Sequence, residues 1–251
     1  MTNDIVRDIL IFSIPILLIL LIDYRKSIKY WYILLLFFVI GFVDNTFNTM
    51  TMTYPNTQLI KSHIFYNNLY FNWSSKLYSI VFTLLLLIPL KNIITPTEIG
   101  LRFRQNDKSI KFSLIFILIF LLVASSLGLL SGKISFDGET LLFTAIMPGL
   151  NEELIYRGLL LGLLNKIFER KYRLFKTNFG WGAIITSLIF GILHGFQIGD
   201  NFQFQFDLFT ILLSGMYGFV YALMRERSGS LVFPVIAHST VDFFNFFFRM
   251  I

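Results

Sequence analysis

The sequence predicts an all-α fold: a polytopic helical membrane protein of about eight transmembrane helices. Three observations carry that expectation: a shortage of charge, a series of long apolar runs, and a regular alternation of basic residues between those runs. Of 251 residues, 55% are hydrophobic and only 14% charged, with a mean hydropathy of +0.70. Soluble domains carry roughly a quarter charged residues, so much of this chain lies where charge is costly. The absence of cysteine excludes disulfides, thiolate metal sites and a cysteine nucleophile.

A membrane-spanning helix needs about 20 mostly apolar residues. The runs fall at Ile5–Ile22, Tyr30–Val43, Lys76–Leu90, Phe112–Leu130, Thr140–Phe168, Trp181–Gly195, Leu208–Met224 and Leu231–Phe248. The first has an unbasic start and no small-residue cleavage site after it, so it reads as a retained helix, not a signal peptide. The second, third and sixth are short and need flanking residues to complete a span. Numbering the connections in order, the odd ones hold 15 of the 21 Lys and Arg residues. The even ones and the two ends hold 5, and Arg157 lies inside a span. By the positive-inside rule this supports eight spans with both termini outside. In a bacterium the location would be the cytoplasmic membrane. The apolar runs leave no room for a soluble domain, so residues 1–251 form a single membrane domain. The long outer connection from Asp44 to Ser75 reads as an ordered loop, with His63 at its surface. Glycines four apart at 128 and 132, 158 and 162, and 191 and 195 suit close packing between helices.

Ionisable groups inside apolar helices are costly and point to function. The fifth run carries Pro148-Gly149-Leu150-Asn151-Glu152-Glu153, followed by Arg157. Glu153 and Arg157, four apart on a helix, share a face and can form an ion pair. Glu152 points about 100° away and is left without that partner, available as a general base. Pro148 and Gly149 suggest a kink that opens space beside the carboxylates. The sixth run ends with Phe190 and His194 on one face. The eighth carries His238 and Asp242, spaced so that the acid can orient the imidazole, with Asn245 one turn further. Each histidine alone is as readily a packing residue as a catalytic one. Together with the Glu-Glu-Arg helix they point to function far more strongly than any one motif alone.

Glu152-Glu153-x-x-x-Arg157, Phe190-x-x-x-His194 and His238-x-x-x-Asp242, in that order on three apolar helices, resemble the CPBP intramembrane protease family. This family includes the type II CAAX prenyl endopeptidases and the bacteriocin-processing and self-immunity proteins of the Abi group. The resemblance covers about residues 140–245, the motif-bearing core. It implies an intramembrane endopeptidase acting on a hydrophobic or membrane-associated peptide or protein substrate, with the lipid bilayer as its surroundings and no nucleic acid involved. By the same resemblance, Glu152 and His194 activate water, and His238 with residue 242 stabilises the oxyanion. Family members have been described both as metalloproteases and as glutamate-dependent enzymes. If a metal is present, Glu152, His194 and His238 could hold zinc with an open position for water. The prenyl endopeptidases have Asn where this chain has Asp242. An amide can donate to an oxyanion, whereas an ionised carboxylate only accepts. Asp242 is therefore either protonated or an orienter of His238, with another donor serving the oxyanion.

Depth along the helices poses a further requirement. His194 lies about 13 residues into its run and His238 about 7, a mismatch of roughly 9 Å at 1.5 Å per residue. The eighth helix is expected to start below the membrane surface, near Pro234, if the two are to meet. Competing expectations are a non-catalytic scaffold or an immunity or regulatory protein of the same fold, and a carrier. Carriers show paired halves with broken helices, and buried charge here occupies only one half.

Overall fold

The computed structural model describes residues 2–60, 65–66, 69–70, 72–106 and 108–251. His63 and Lys61, both placed by the sequence in the outer connection, lie outside the described residues. The chain is a bundle of helices with three small antiparallel hairpins. In order, the helices are α1 (Thr2–Ile22), α2 (Tyr24–Lys29), α3 (Trp31–Thr53), α4 (Trp73–Leu86), α5 (Ser109–Leu130), α6 (Gly138–Glu152), α7 (Leu161–Ile167), α8 (Trp181–Gly195), α9 (Leu208–Ser228) and α10 (Val232–Met250). Between α6 and α7 the helix widens without a break into a π-helical stretch, Glu153–Leu160. The strands pair as β1 (Phe65–Tyr66) with β2 (Leu69–Tyr70), β3 (Tyr172–Leu174) with β4 (Thr177–Phe179), and β5 (Phe196–Ile198) with β6 (Phe204–Phe206).

Each of the eight apolar runs is helical. By length and composition, α1, α3, α5 and α9 are apolar enough to cross a membrane, and α4 and α8 are shorter apolar helices. The continuous α6–α7 helix and α10 carry the ionisable residues that lower their hydropathy. The surfaces of α1 and α5 are lined with outward leucines and isoleucines, among them Leu17, Leu21, Leu118 and Leu122, each more than half exposed. Outward apolar faces on a charge-poor helical bundle are those of a protein solvated by lipid.

Three boundaries differ from the sequence expectation. The helix expected to end at Val43 continues as α3 to Thr53. It takes Asp44, Asn45 and Asn48 out of the supposed outer loop and into the bundle, because hydropathy drops at polar residues even when they face a polar interior. The third span, expected over Lys76–Leu90, is α4 at Trp73–Leu86. Asn72 caps it by accepting from the Ser75 amide, which sets Lys76 within the first turn. The kink expected at Pro148–Gly149 is not where regular α geometry stops. Helix α6 runs through Pro148, and the departure begins at Glu153.

Gly149 has a different task. A Cβ there would come within 2.9 Å of the Val235 carbonyl oxygen and against Ser239, so its absence lets α10 press its backbone onto α6. Gly191 and Gly195 do the same for α8 against α9, and Gly128 for α5 against α10 around Asn245. Gly158 and Gly162 receive the chain around Ile94–Ile99, whereas Gly132 faces open space. Five of the six paired glycines thus pack as expected.

The start of α10 is roofed by the connection between α4 and α5. The Leu231 amide donates to Gly100 O (3.0 Å), the Asn106 amide to Ser228 O (2.9 Å), and Arg102 Nε to Gly229 O (2.8 Å). Ser230 and Leu231 are buried beneath it. The first turns of α10, with Phe233 and Pro234 buried, thus lie inside the protein.

Candidate active site

The pressing of α10 onto α6 brings together all six residues singled out from the sequence. Glu153 and Arg157 lie within the π-helical stretch, both fully buried, with Arg157 Nη1 3.0 Å from Glu153 Oε1. The guanidinium lies over the Phe190 ring, 4.1 Å from its centroid, and near Tyr221 (5.4 Å). Its Nε reaches Gly218 O at 3.4 Å. Aromatic faces on a buried guanidinium offset part of the cost of removing it from water. Glu153 Oε1 also accepts from His238 Nδ1 at 2.8 Å. Arg157 and Glu153 therefore form a rigid base that holds the His238 ring. Tyr221 stacks on that ring (5.3 Å, 15°) and Phe190 meets it edge-on (5.7 Å, 85°).

Glu152 points the other way, as the 100° offset requires, but it is not left without a partner. Lys76 from α4 sits 2.8 Å from its Oε1. The other oxygen, Oε2, has no hydrogen-bonding protein partner among the described residues. It faces two imidazoles, His194 Nε2 at 3.8 Å and His238 Nε2 at 3.9 Å. His194 is fixed from behind: its Nδ1 lies 2.7 Å from the Phe190 carbonyl oxygen. A carbonyl can only accept, so Nδ1 donates there and the ring turns its Nε2 toward Glu152. His238 is fixed by the same logic through Glu153. Asp242 Oδ2 approaches His238 Nε2 at 3.5 Å.

Glu152, Lys76 and His194 edge a polar cavity of about 180 Å³, lined also by Arg7, Asp44 and Asn48. Its wall holds a buried polar chain. Asn151 Nδ2 donates to Ser79 Oγ (2.5 Å), and Ser79 in turn donates to Asp44. Lys76, Asp44 and Ser79 were missed in the sequence. The signal was present, since Asp44 and Lys76 are ionisable groups in helices, but both stood at the edges of apolar runs: Asp44 was assigned to the outer connection and Lys76 to the very start of the third run.

Zinc does not fit this arrangement. A tetrahedral zinc with ligands at ~2.0–2.1 Å holds its donor atoms roughly 3.3 Å apart. The Glu152–histidine separations are longer, and the Lys76 ammonium places a positive charge on the same carboxylate. Among the described residues no cluster of three or more His, Asp or Glu side chains has a metal-holding arrangement.

Comparison with known proteins agrees with the site's position in the chain. Residues 139–244 match the family model described as Type II CAAX prenyl endopeptidase Rce1-like. An Escherichia coli relative named "Uncharacterized 24.3 kDa protein" is 33% identical over 103 residues, 39% of each chain. A Bacillus subtilis (strain 168) relative named "Putative membrane peptidase YdiL" is 29% identical over 104 residues, 41% of this chain and 34% of its own length. The similarity thus spans well under half the length of either relative. No solved structure matches. Glu152, Glu153, Arg157, His194, His238 and Asp242 all fall inside the matched segment; Asp44, Lys76 and Ser79 fall outside it. The family supports a membrane protease-type function in general.

Proposed function

We propose that this chain, a helical membrane protein with an Rce1-like segment at residues 139–244, is an intramembrane endopeptidase. It hydrolyses a peptide bond of a hydrophobic or membrane-associated peptide with water activated by Glu152 and His194. One observation carries the reading: Glu152 Oε2 and His194 Nε2, two acceptors, face each other at 3.8 Å. Two lone pairs at that distance call for a proton donor between them, and a water molecule supplies two O–H bonds. Lys76 occupies Oε1 and leaves Oε2 for that water.

The reaction follows from these positions. As the water oxygen attacks the peptide carbonyl, one proton passes to Glu152. The tetrahedral oxyanion forms on the side of His238, which is held by Glu153 through Nδ1 and donates from Nε2 in its doubly protonated form. The proton on Glu152 then passes to the leaving amine as the C–N bond breaks. Asp242 orients His238 in this scheme and does not itself donate to the oxyanion. The buried position of His238 and Glu153 and the small polar cavity support exclusion of bulk water. The apolar surroundings support a substrate delivered from the bilayer.

Replacing Glu152 with Gln keeps the shape and removes the proton acceptor. Cleavage of a hydrophobic peptide panel by the purified protein, followed by mass spectrometry, is expected to fall by at least about 100-fold. Accumulation in the membrane should not change. An E152Q protein that cleaves at the normal rate would remove Glu152 as the base.

A further inference from the structure

Away from the proposed catalytic cavity, the structure draws together three of the four basic connections that the sequence alternation picked out. Arg102 and Lys108 come from the connection before α5, Arg170 and Lys176 from the β3–β4 segment, and Arg225 and Arg227 from the end of α9. They line one cavity of about 570 Å³, within the size range of small-molecule sites. Two carboxylates, Glu98 and Glu226, share its wall.

These carboxylates cancel only part of that charge, since Glu226 pairs with lining arginines and Glu98 does not. Glu98 is engaged by Lys166, which lies outside the cavity wall, and by Thr95. Hydrogen bonding from Lys166 holds its carboxyl below the usual range. Glu226 is taken by Arg170 (2.5 Å), Asn165 (2.6 Å) and more distantly Arg225 (3.4 Å). The remaining arginines are held by neutral acceptors. Arg102 donates to Gly229 O and the Asn106 side chain, and Arg227 to Lys108 O and Phe175 O while lying over the Phe112 ring. Their orientation is fixed while their charge stays available. Lys108 and Lys176 are exposed and make no ion pair among the described residues.

Two buried polar atoms in this wall also lack a protein partner among the described residues: Arg225 Nε and Thr177 Oγ1, on residues 4% and 2% exposed. Both can donate, and a buried unmatched donor is costly unless a ligand or water meets it. The N-terminus of the 22-residue α5 opens here as well. Its cap residue, Lys108, is in the cavity wall, so the positive end of the helix dipole lies beside it.

From this we infer a second binding site, for a phosphate-bearing anion, formed where the 102–108 connection, the β3–β4 hairpin and the end of α9 meet. Oriented guanidinium groups, unmatched buried donors and a helix N-terminus together match tetrahedral oxyanion chemistry. The phosphate could belong to an anionic lipid headgroup or to a soluble phosphorylated compound.

The test uses the full chain in phosphatidylcholine nanodiscs, with its thermal unfolding midpoint as readout. Inorganic pyrophosphate is titrated against potassium chloride of equal ionic strength, and a parallel set of discs contains phosphatidylglycerol. A pyrophosphate-specific rise assigns a soluble ligand; a rise only with phosphatidylglycerol assigns a lipid headgroup. Either rise is expected to be lost or shifted roughly tenfold in half-saturation in the Lys108→Gln/Lys176→Gln double variant. Among the described residues those side chains make no hydrogen bond or ion pair. No rise from either source, a rise matched by chloride, or a rise undiminished in the double variant would overturn the site.

Discussion

Two neighbouring glutamates in this chain occupy unlike environments, and the difference follows from where their partners come from. Glu153 is bound into a buried ion pair with Arg157 and holds His238. Breaking one side of such a pair strands a charge away from water, so Arg157→Met is expected to destabilise the protein by about 3–5 kcal/mol. A lowered unfolding temperature in detergent would report it. Glu152 depends instead on Lys76 in α4, two helices earlier in the chain. Lys76→Gln leaves the carboxylate free to rotate away from the imidazoles. Peptide turnover is expected to fall at least about tenfold, as misplacement of a reacting group typically costs, and Lys76→Arg to retain more activity than the glutamine variant. Equal rates in all three proteins would remove Lys76 from the site.

Among the elements, α10 has the most exacting position, because it brings His238 to the carboxylate of Glu152 on α6. Two features set it. Its first turn is held under the connection between α4 and α5, and Gly149 lets its backbone approach α6. A side chain at 149 would meet the Val235 carbonyl and Ser239, so Gly149→Val is expected to push the helices apart. Peptide cleavage should then fall by more than tenfold, since a 1 Å misplacement can cost about 100-fold, while the Glu153–Arg157 pair within one helix stays formed. Retained full activity in Gly149→Val would mean that the α6–α10 spacing does not matter to the chemistry. The π-helical widening at Glu153–Leu160 belongs to the same scale. It places Glu153, Tyr156 and Arg157 on the buried side of one helix, an irregularity frequent at functional sites.

For the molecule as a whole, the proposed catalytic cavity is shared between two parts of the chain. The Rce1-like segment brings the six motif residues, and the first four long helices bring Asp44, Lys76 and Ser79. Residues 138–251 expressed alone are therefore expected to cleave nothing, although every motif residue is present. Co-expression with residues 1–137 should restore cleavage through reassembly in the membrane. Activity of the C-terminal piece by itself would show that the polar wall from α3 and α4 is dispensable.

Charge scarcity and apolar runs were enough to determine a polytopic helical bundle, because a lipid environment leaves the backbone few other ways to satisfy its hydrogen bonds. Helical spacing likewise determined that Glu153 meets Arg157 and that Glu152 turns elsewhere, since residues four apart share a face and adjacent ones do not, even where the turn widens to π-helix. The Asp44–Ser79–Asn151 chain, the Lys76 contact and the convergence of basic connections on one cavity were decided only in three dimensions. Each joins residues more than 30 positions apart, and hydropathy treats a polar residue at the edge of an apolar run as a boundary. Whether such a residue faces water, lipid or a polar interior depends on which helix packs beside it, and that is a property of the folded bundle.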